Sequence, residues 1–242
     1  ASDVYKRQDE IVTEQSYVKL PGGGAAAAAV ACAIEGVKCK LVSVIGEDFP
    51  EEWLEKIEEY GVDISDIEVK GKRTTRFKLV YDKNFTLVKF NARFFKGLEY
   101  DLSEKVFLSD TVHLAPMPPL FHSIFLPYLN LKTVSMDPHG LYNEGGADTG
   151  ILKKVNLFFP NEEEAKNIAG TKNIWRAAKI ISSLGPEIVI VKRDKRGSLC
   201  YTGERYIAVP AYRTREVDPT GCGDVYEGVF LAEYVTNGDI IR

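Results

Sequence analysis

The stretch VDPTGCGDVYEGVFLAEYV, Val217 to Val235, carries the reading from which the fold follows. Pro219 ends the extended segment before it, and Gly221 and Gly223 free the backbone on either side of Cys222. From there apolar residues recur at helical spacing, at Val225, Val229, Ala232 and Val235, with Tyr226, Phe230 and Tyr234 beside them. The pattern predicts a glycine turn opening into a helix.

Such a turn leaves the first N–H groups of the helix without intrahelical partners and puts about half a positive charge behind them. That is a site for an anion. Asp224 stands in the same first turn, where a carboxylate is a poor phosphate ligand but can accept the proton of a hydroxyl attacking the phosphate. Residue types alone leave two readings open: a helix cap behind an ordinary turn, or the base and anion hole of a phosphoryl transfer.

DPTGCGD, residues 218–224, resembles the D-T-G-A-G-D signature of the ribokinase-like, or PfkB-type, carbohydrate kinases. The resemblance implies that Asp224 is the catalytic base and that Gly221, Cys222 and Gly223 form the anion hole. Cys222 stands where the family most often carries Ala. Its thiol has two readings, oxidation-prone at a helix N-terminus or buried and inert.

Composition narrows the class. The chain has 242 residues, 45% hydrophobic and 27% charged, enough for one sizeable α/β core. A net charge of -4 with no long basic run argues against nucleic acid or an anionic membrane as partner. No apolar run approaches the roughly 20 residues that cross a bilayer, and no secretory leader is read. Cys32, Cys39, Cys200 and Cys222 lack C-x-x-C spacing and predict free thiols in a reducing cytoplasm.

Residues 1–8, ASDVYKRQ, show no period and resemble translated adaptor sequence, so they are expected to replace the native start. Asp9 then falls where the family carries an Asp that binds two substrate hydroxyls; a solvated Asp beside Glu10 is the other reading. Residues 11–20 alternate weakly and predict an exposed strand. PGGGAAAAAVACAIEG follows, a glycine run feeding a helix of small residues that stops at Gly36. Gly22 and Gly23 match the family's Gly-Gly, which lines the sugar pocket and hinges the lid. Ala26 and Ala27 occupy the region where many members carry an Asn facing substrate, a departure from a ribose-type contact set.

A buried strand is predicted from Lys40 to Ile45 and a helix from Glu51 to Tyr60, closed by Gly61. From Ile67 to Phe95 short alternating runs broken by Gly71 and by Asp82, Lys83 and Asn84 predict hairpins. With residues 11–20 these resemble the family's substrate lid, which would exclude water from the transferring phosphate. A homodimer interface is the alternative use of the same sheet.

Residues 111–116, 132–138, 154–161 and 187–193 are β-rich runs in an α/β rhythm, with an apolar segment from Leu120 to Leu129 between the first two. They predict a parallel sheet covered on both faces, with ligands at the carboxyl ends of its strands. Pro116, Asp137, Asn161 and Lys192 stand at those ends. Asp137 reads as a turn initiator or a substrate contact. His113 reads as packed inside a strand; His122 and His139 are isolated, and the three have no metal spacing.

Asn161 and Glu164 have capping-box spacing. They also match the family's N-x-x-E, whose Glu acts through water on the nucleotide's Mg2+, and both roles can hold together. IVIVKRDKRGSLCY resembles the family's V-T-x-G-x-x-G segment, with Lys192 in place of Thr, Asp194 in place of the first Gly, and Gly197 kept. Lys192 would offer a point charge to phosphate and Asp194 would oppose it. The family continues beyond Arg242, so its C-terminal part is expected to be missing here.

The resemblance implies one domain over residues 1–242: a three-layer ribokinase-like α/β fold with a mainly parallel central sheet covered by helices on both faces, plus a small β-sheet lid. It implies a cytoplasmic kinase moving the γ-phosphate of ATP, with ADP as the other donor reading, to a sugar, a polyol such as inositol or a nucleoside. A non-catalytic nucleotide- or sugar-binding descendant is the rival class. A dinucleotide oxidoreductase is disfavoured, since no G-x-G-x-x-G follows an early strand.

Overall fold

A computed structural model describes residues 2–3, 7–12, 17–81, 87–93, 109–117, 129–130, 132–138, 149–214 and 218–238; the side chains of 2–22 and 77–93 are not described. His122, His139, most of the 120–129 segment and residues 82–86, where a hairpin break is expected, lie outside these residues. Two compact units divide the chain, Ala1–Lys105 with Glu216–Arg242, and Val106–Arg215.

In the first unit, β1 (Ser2–Asp3), β4 (Cys39–Leu41) and β6 (Val62–Asp63) form a parallel sheet in the order β1-β4-β6. The strand predicted from Lys40 to Ile45 divides at Val42, and its second half, β5 (Ser43–Ile45), pairs with β7 (Ile67–Val69) instead. Ile67–Val69 therefore does not belong to the lid-like sheet. That sheet has the order β3-β2-β8-β9, built from β2 (Arg7–Val12), β3 (Tyr17–Gly22), β8 (Arg76–Tyr81) and β9 (Leu87–Arg93). The single strand expected over residues 11–20 is two antiparallel strands, and Arg7 and Gln8, from the stretch expected to replace the native start, pair with Gly22 and Pro21.

Helix α1 (Gly24–Ile34) buries Ala25, Ala26, Ala28, Ala29, Ala31 and Cys32, and Gly36 leaves it at φ 84. Helix α2 (Glu51–Glu59) buries Ile57, while Tyr60 beyond its end is exposed.

In the second unit a six-stranded sheet runs β10 (Thr111–Leu114), β11 (Thr133–Met136), β12 (Leu157–Phe158), β13 (Ile188–Lys192), β14 (Ser198–Tyr201) and β15 (Tyr206–Val209). The first four strands are parallel in sequence order, and the last two add antiparallel. Val112, Leu114, Val134, Met136, Leu157, Phe158, Val189, Ile190 and Val191 are all buried, so both faces of the parallel strands are covered. Each large side chain removed from water contributes about 1.5–3 kcal/mol. Helix α3 (Glu162–Ala169) ends at Gly170 in the left-handed region. Helix α4 (Ile174–Ser183) buries Ile174, Ala177, Ala178 and Ile181, one face at helical spacing. His113 packs as read: it is buried, with Nδ1 2.8 Å from Ser135 Oγ and its ring edge-on to Phe159.

Candidate active site

The 217–235 stretch builds the helix it predicts, α5 (Cys222–Asn237), but with a different buried face. Glu227, Gly228, Leu231 and Ala232 are buried, whereas Val225 and Val235 are nearly half exposed. The reason is close packing on α1. A Cβ at Gly228 would lie 2.2 Å from Ala28 O, so the helices meet where α5 has no side chain. Large Val side chains are turned away from such a crossing.

This crossing gathers two glycine turns. Gly24 and Asp224 each lie four residues, about one 6 Å helical turn, before Ala28 and Gly228 respectively. The opening turns of α1 and α5 are thus both held within one turn of the same contact. Gly23 bounds α1 at φ 112, and its carbonyl accepts from Ala26 and Ala27 N–H. Gly22 ends β3 opposite Arg7, two rungs from the pairing of Asp9 with Leu20. Asp9 sits in β2, between β3 and β8, so the backbone brings Asp9, Gly22 and Gly23 together.

At α5, Asp218 Oδ1 accepts from Thr220 N–H at 2.9 Å and Pro219 O accepts from Cys222 N–H at 3.2 Å, closing the turn. Gly221 bounds the helix at φ 80, a conformation that costs a residue with a Cβ about 1–2 kcal/mol. Gly221, the N-cap residue of α5, has no side chain to cap it, and Asp224 is half-buried in the first turn of the helix. Of the expected anion hole, Gly221 bounds the helix, Cys222 opens it with its N–H donating to Pro219 O, and Gly223 is its second residue. The Cys222 thiol is exposed, which corrects its reading as buried and inert.

In the second unit the carboxyl ends of β11, β12 and β13 carry Asp137, Asn161 and Lys192 side by side. Lys192 N–H donates to Pro160 O at 2.9 Å, and Asn161 bridges Lys192 in parallel. The capping box at α3 is complete: Glu164 N–H donates to Asn161 Oδ1 at 2.9 Å and Asn161 N–H to Glu164 Oε2 at 2.7 Å. Glu164 is only 2% exposed.

Two residues of this edge differ from expectation. Lys192 does not present a bare charge: its Nζ lies 2.8 Å from Asp137 Oδ2, and Asp137 is 4% exposed. Asp137 is therefore more than a turn initiator. Gly197, at φ 82, is explained by the fold: a Cβ there would lie 1.9 Å from Val209 O. Asp194, in the position of a family glycine, has φ 54.

Sequence reasoning also missed Glu162. Its carboxylate meets Lys166 at 2.9 Å, Arg193 at 3.1 Å and Arg196 at 2.9 Å. Burial alone would raise its pKa, but the Lys166 and Arg193 hydrogen bonds and the Arg196 charge outweigh it and hold the carboxyl below its usual range. The acidic run NEEEA signalled a helix start; the three cations come from i+4 and from the turn after β13, which spacing did not connect.

No group of three or more potential metal ligands occurs among the described residues. Glu164, with Oε2 already accepting from Asn161 N–H, offers a carboxylate suited to the water shell of Mg2+ rather than a dedicated cage. That fits an ion bound mainly through nucleotide phosphates. No helix among the described residues is long and apolar enough to cross a membrane.

A parallel-stranded α/β sheet with polar residues along its carboxyl edge in one unit, and two helix N-termini gathered at glycine turns in the other, characterise a ribokinase-like fold. The structure of Arabidopsis thaliana ribokinase complexed with ribose and ATP shares it, with TM-score 0.80 and 19% identity, covering 98% of this chain and 86% of that one. The description of the pfkB family carbohydrate kinases matches residues 1–105 and 138–242. A cytidine kinase from Thermococcus kodakarensis is 33% identical over 227 residues, 90% of this chain and 81% of its own length. A nucleoside kinase from Methanothermobacter thermautotrophicus is 28% identical over 91% of this chain and 74% of its own. The chain belongs to the pfkB family of carbohydrate kinases, and it is a sugar or nucleoside kinase.

Proposed function

We propose that this chain transfers the γ-phosphate of ATP to a hydroxyl of a nucleoside, with cytidine the first acceptor to test. The observation that carries the acceptor is the 33% identity to a cytidine kinase along most of the chain. Ala26 and Ala27 at the start of α1, where a ribose-type contact set would have Asn, fit an acceptor other than free ribose.

Residues 1–242 act as one kinase domain, supported by a family match that runs through both units. Asp9, Gly22 and Gly23 bind the acceptor. Asp224 takes the hydroxyl proton as the acceptor oxygen bonds to the γ-phosphorus and the bond to the β-phosphate oxygen breaks, releasing nucleoside diphosphate. Backbone around Gly221, Cys222 and Gly223, with the α5 dipole behind it, stabilises the developing charge. Asn161, Glu164, Lys192 and Gly197 form the donor side, with Glu164 acting on hydrated Mg2+. When bound, Mg2+ neutralises phosphate charge.

The β3-β2-β8-β9 sheet serves as the lid. Pairing of two chains through it is the competing use, separated by sedimentation of the chain with and without nucleoside. Four free cysteines are consistent with a reducing, cytoplasmic setting. The test is phosphate transfer from ATP with magnesium to cytidine, other nucleosides, sugars and inositols. Turnover with a nucleoside supports the reading, and turnover confined to free sugars or polyols rejects the acceptor.

A further inference from the structure

The C-terminal edge of the second unit's sheet holds an ion pair that spans a strand. Lys192 ends β13 and Asp137 follows β11, with β12 between them in the sheet order. Neighbouring strands are about 4.8 Å apart, so the pair reaches over roughly 10 Å of sheet edge. Lys192 Nζ is thereby drawn across the end of β12, where Asn161 starts the capping box of α3. Asp137 and Lys192 side chains are 6% and 18% exposed, so the contact is mostly removed from water. Desolvating two charges costs several kcal/mol, and apolar residues of similar size often serve stability equally well. Stability alone is thus a weak reason for the pair.

We propose that Asp137 is a positioning residue for donor binding, holding the Lys192 ammonium over the end of β12 beside Asn161, where it meets the terminal phosphates of the nucleotide. The inference rests on the donor side assigned above and adds a residue to it. Lys192 is followed directly by Arg193 and the exposed Asp194. A lysine left to itself would have the Asp194 carboxylate two residues away as a competing partner. Asp137 removes that choice, since its carboxylate fixes Nζ on the β11 side. An ammonium is a compact point charge on a flexible stem, so its usefulness to phosphate depends on where it is held.

The test measures binding by calorimetry, with Mg-ATP and with adenosine, on the whole chain and on Asp137→Asn, Lys192→Met and the double variant Asp137→Leu/Lys192→Met. Asp137→Asn is expected to weaken Mg-ATP about tenfold, the size of one charge-assisted contact, and to leave adenosine within twofold. Lys192→Met should lose as much, and the double variant no more than Lys192→Met. Equal loss for ATP and adenosine, or Asp137→Asn within twofold of the unaltered chain for both, overturns the proposal. Should Asp137→Asn fail to fold, Asp137→Glu, which keeps the charge but moves it by one methylene, decides: ATP affinity equal to that of the unaltered chain overturns the proposal, and a loss confined to ATP that disappears in the Lys192→Met background upholds it. An unaltered chain that binds no nucleotide overturns the kinase reading and this inference together; ATP binding insensitive to Asp137 overturns this inference alone.

Discussion

Gly228 of α5 rests against the main-chain carbonyl of Ala28 in α1: a Cβ at 228 would come 2.2 Å from that oxygen and 2.9 Å from the Ala31 Cβ. Helix propensity would favour Ala here by about 1 kcal/mol, but backbone cannot yield as a side chain would. Gly228→Ala is predicted to destabilise the chain by about 1–3 kcal/mol in urea unfolding. Because the same crossing holds the opening turns of both helices, kcat should fall further than the lost stability accounts for, as displacement near 1 Å can cost about 10²-fold.

The turn after β13 gives an opposed pair of substitutions. Gly197→Ala meets both φ 82 and the Val209 carbonyl, and is predicted to cost more than about 2 kcal/mol. Asp194 already sits at φ 54 without being glycine. Asp194→Gly should be neutral or stabilising by up to about 1 kcal/mol, while Asp194→Val should destabilise by about 1–2 kcal/mol. Thermal unfolding of the three variants checks the order.

Glu162 ties α3 to the turn carrying Arg193 and Arg196. Its folded-state pKa is depressed below the ordinary value of 4.5, so its contribution is present above that value and is lost as pH falls through the lower, folded one. Glu162→Gln should lower stability at pH 7 and flatten the acid limb of a stability profile below about pH 4.5. An unchanged acid limb would contradict the three-cation account.

The cysteines should separate by reactivity. Cys222 is exposed, whereas Cys32, Cys39 and Cys200 are buried, and burial pushes the Cys200 thiol up to about 11. Native iodoacetamide labelling at pH 7.5 is predicted to modify Cys222 first, and saturating nucleotide to slow it. Mass spectrometry of the labelled peptides reports both.

Local grammar carried much of the fold. Glycine turns, the small-residue helix and the Asn161 and Glu164 spacing are written within ten or twenty residues, and each formed as read. What failed depended on partners distant in sequence. Val225 and Val235 are apolar at helical spacing, yet the crossing with Ala28 selects the Gly228 face. Ile67–Val69 alternates like a lid strand, but β5 claims it. Asp137 looked like a turn residue because nothing local places it within reach of Lys192, 55 positions later.

The most direct measurement is phosphate transfer from ATP to cytidine, with the nucleoside and sugar panel alongside, for the unaltered chain and Asp224→Asn. The account predicts nucleoside-dependent turnover that falls about 10²- to 10⁴-fold in the variant, with nucleotide binding retained. Near-normal turnover by Asp224→Asn would contradict it.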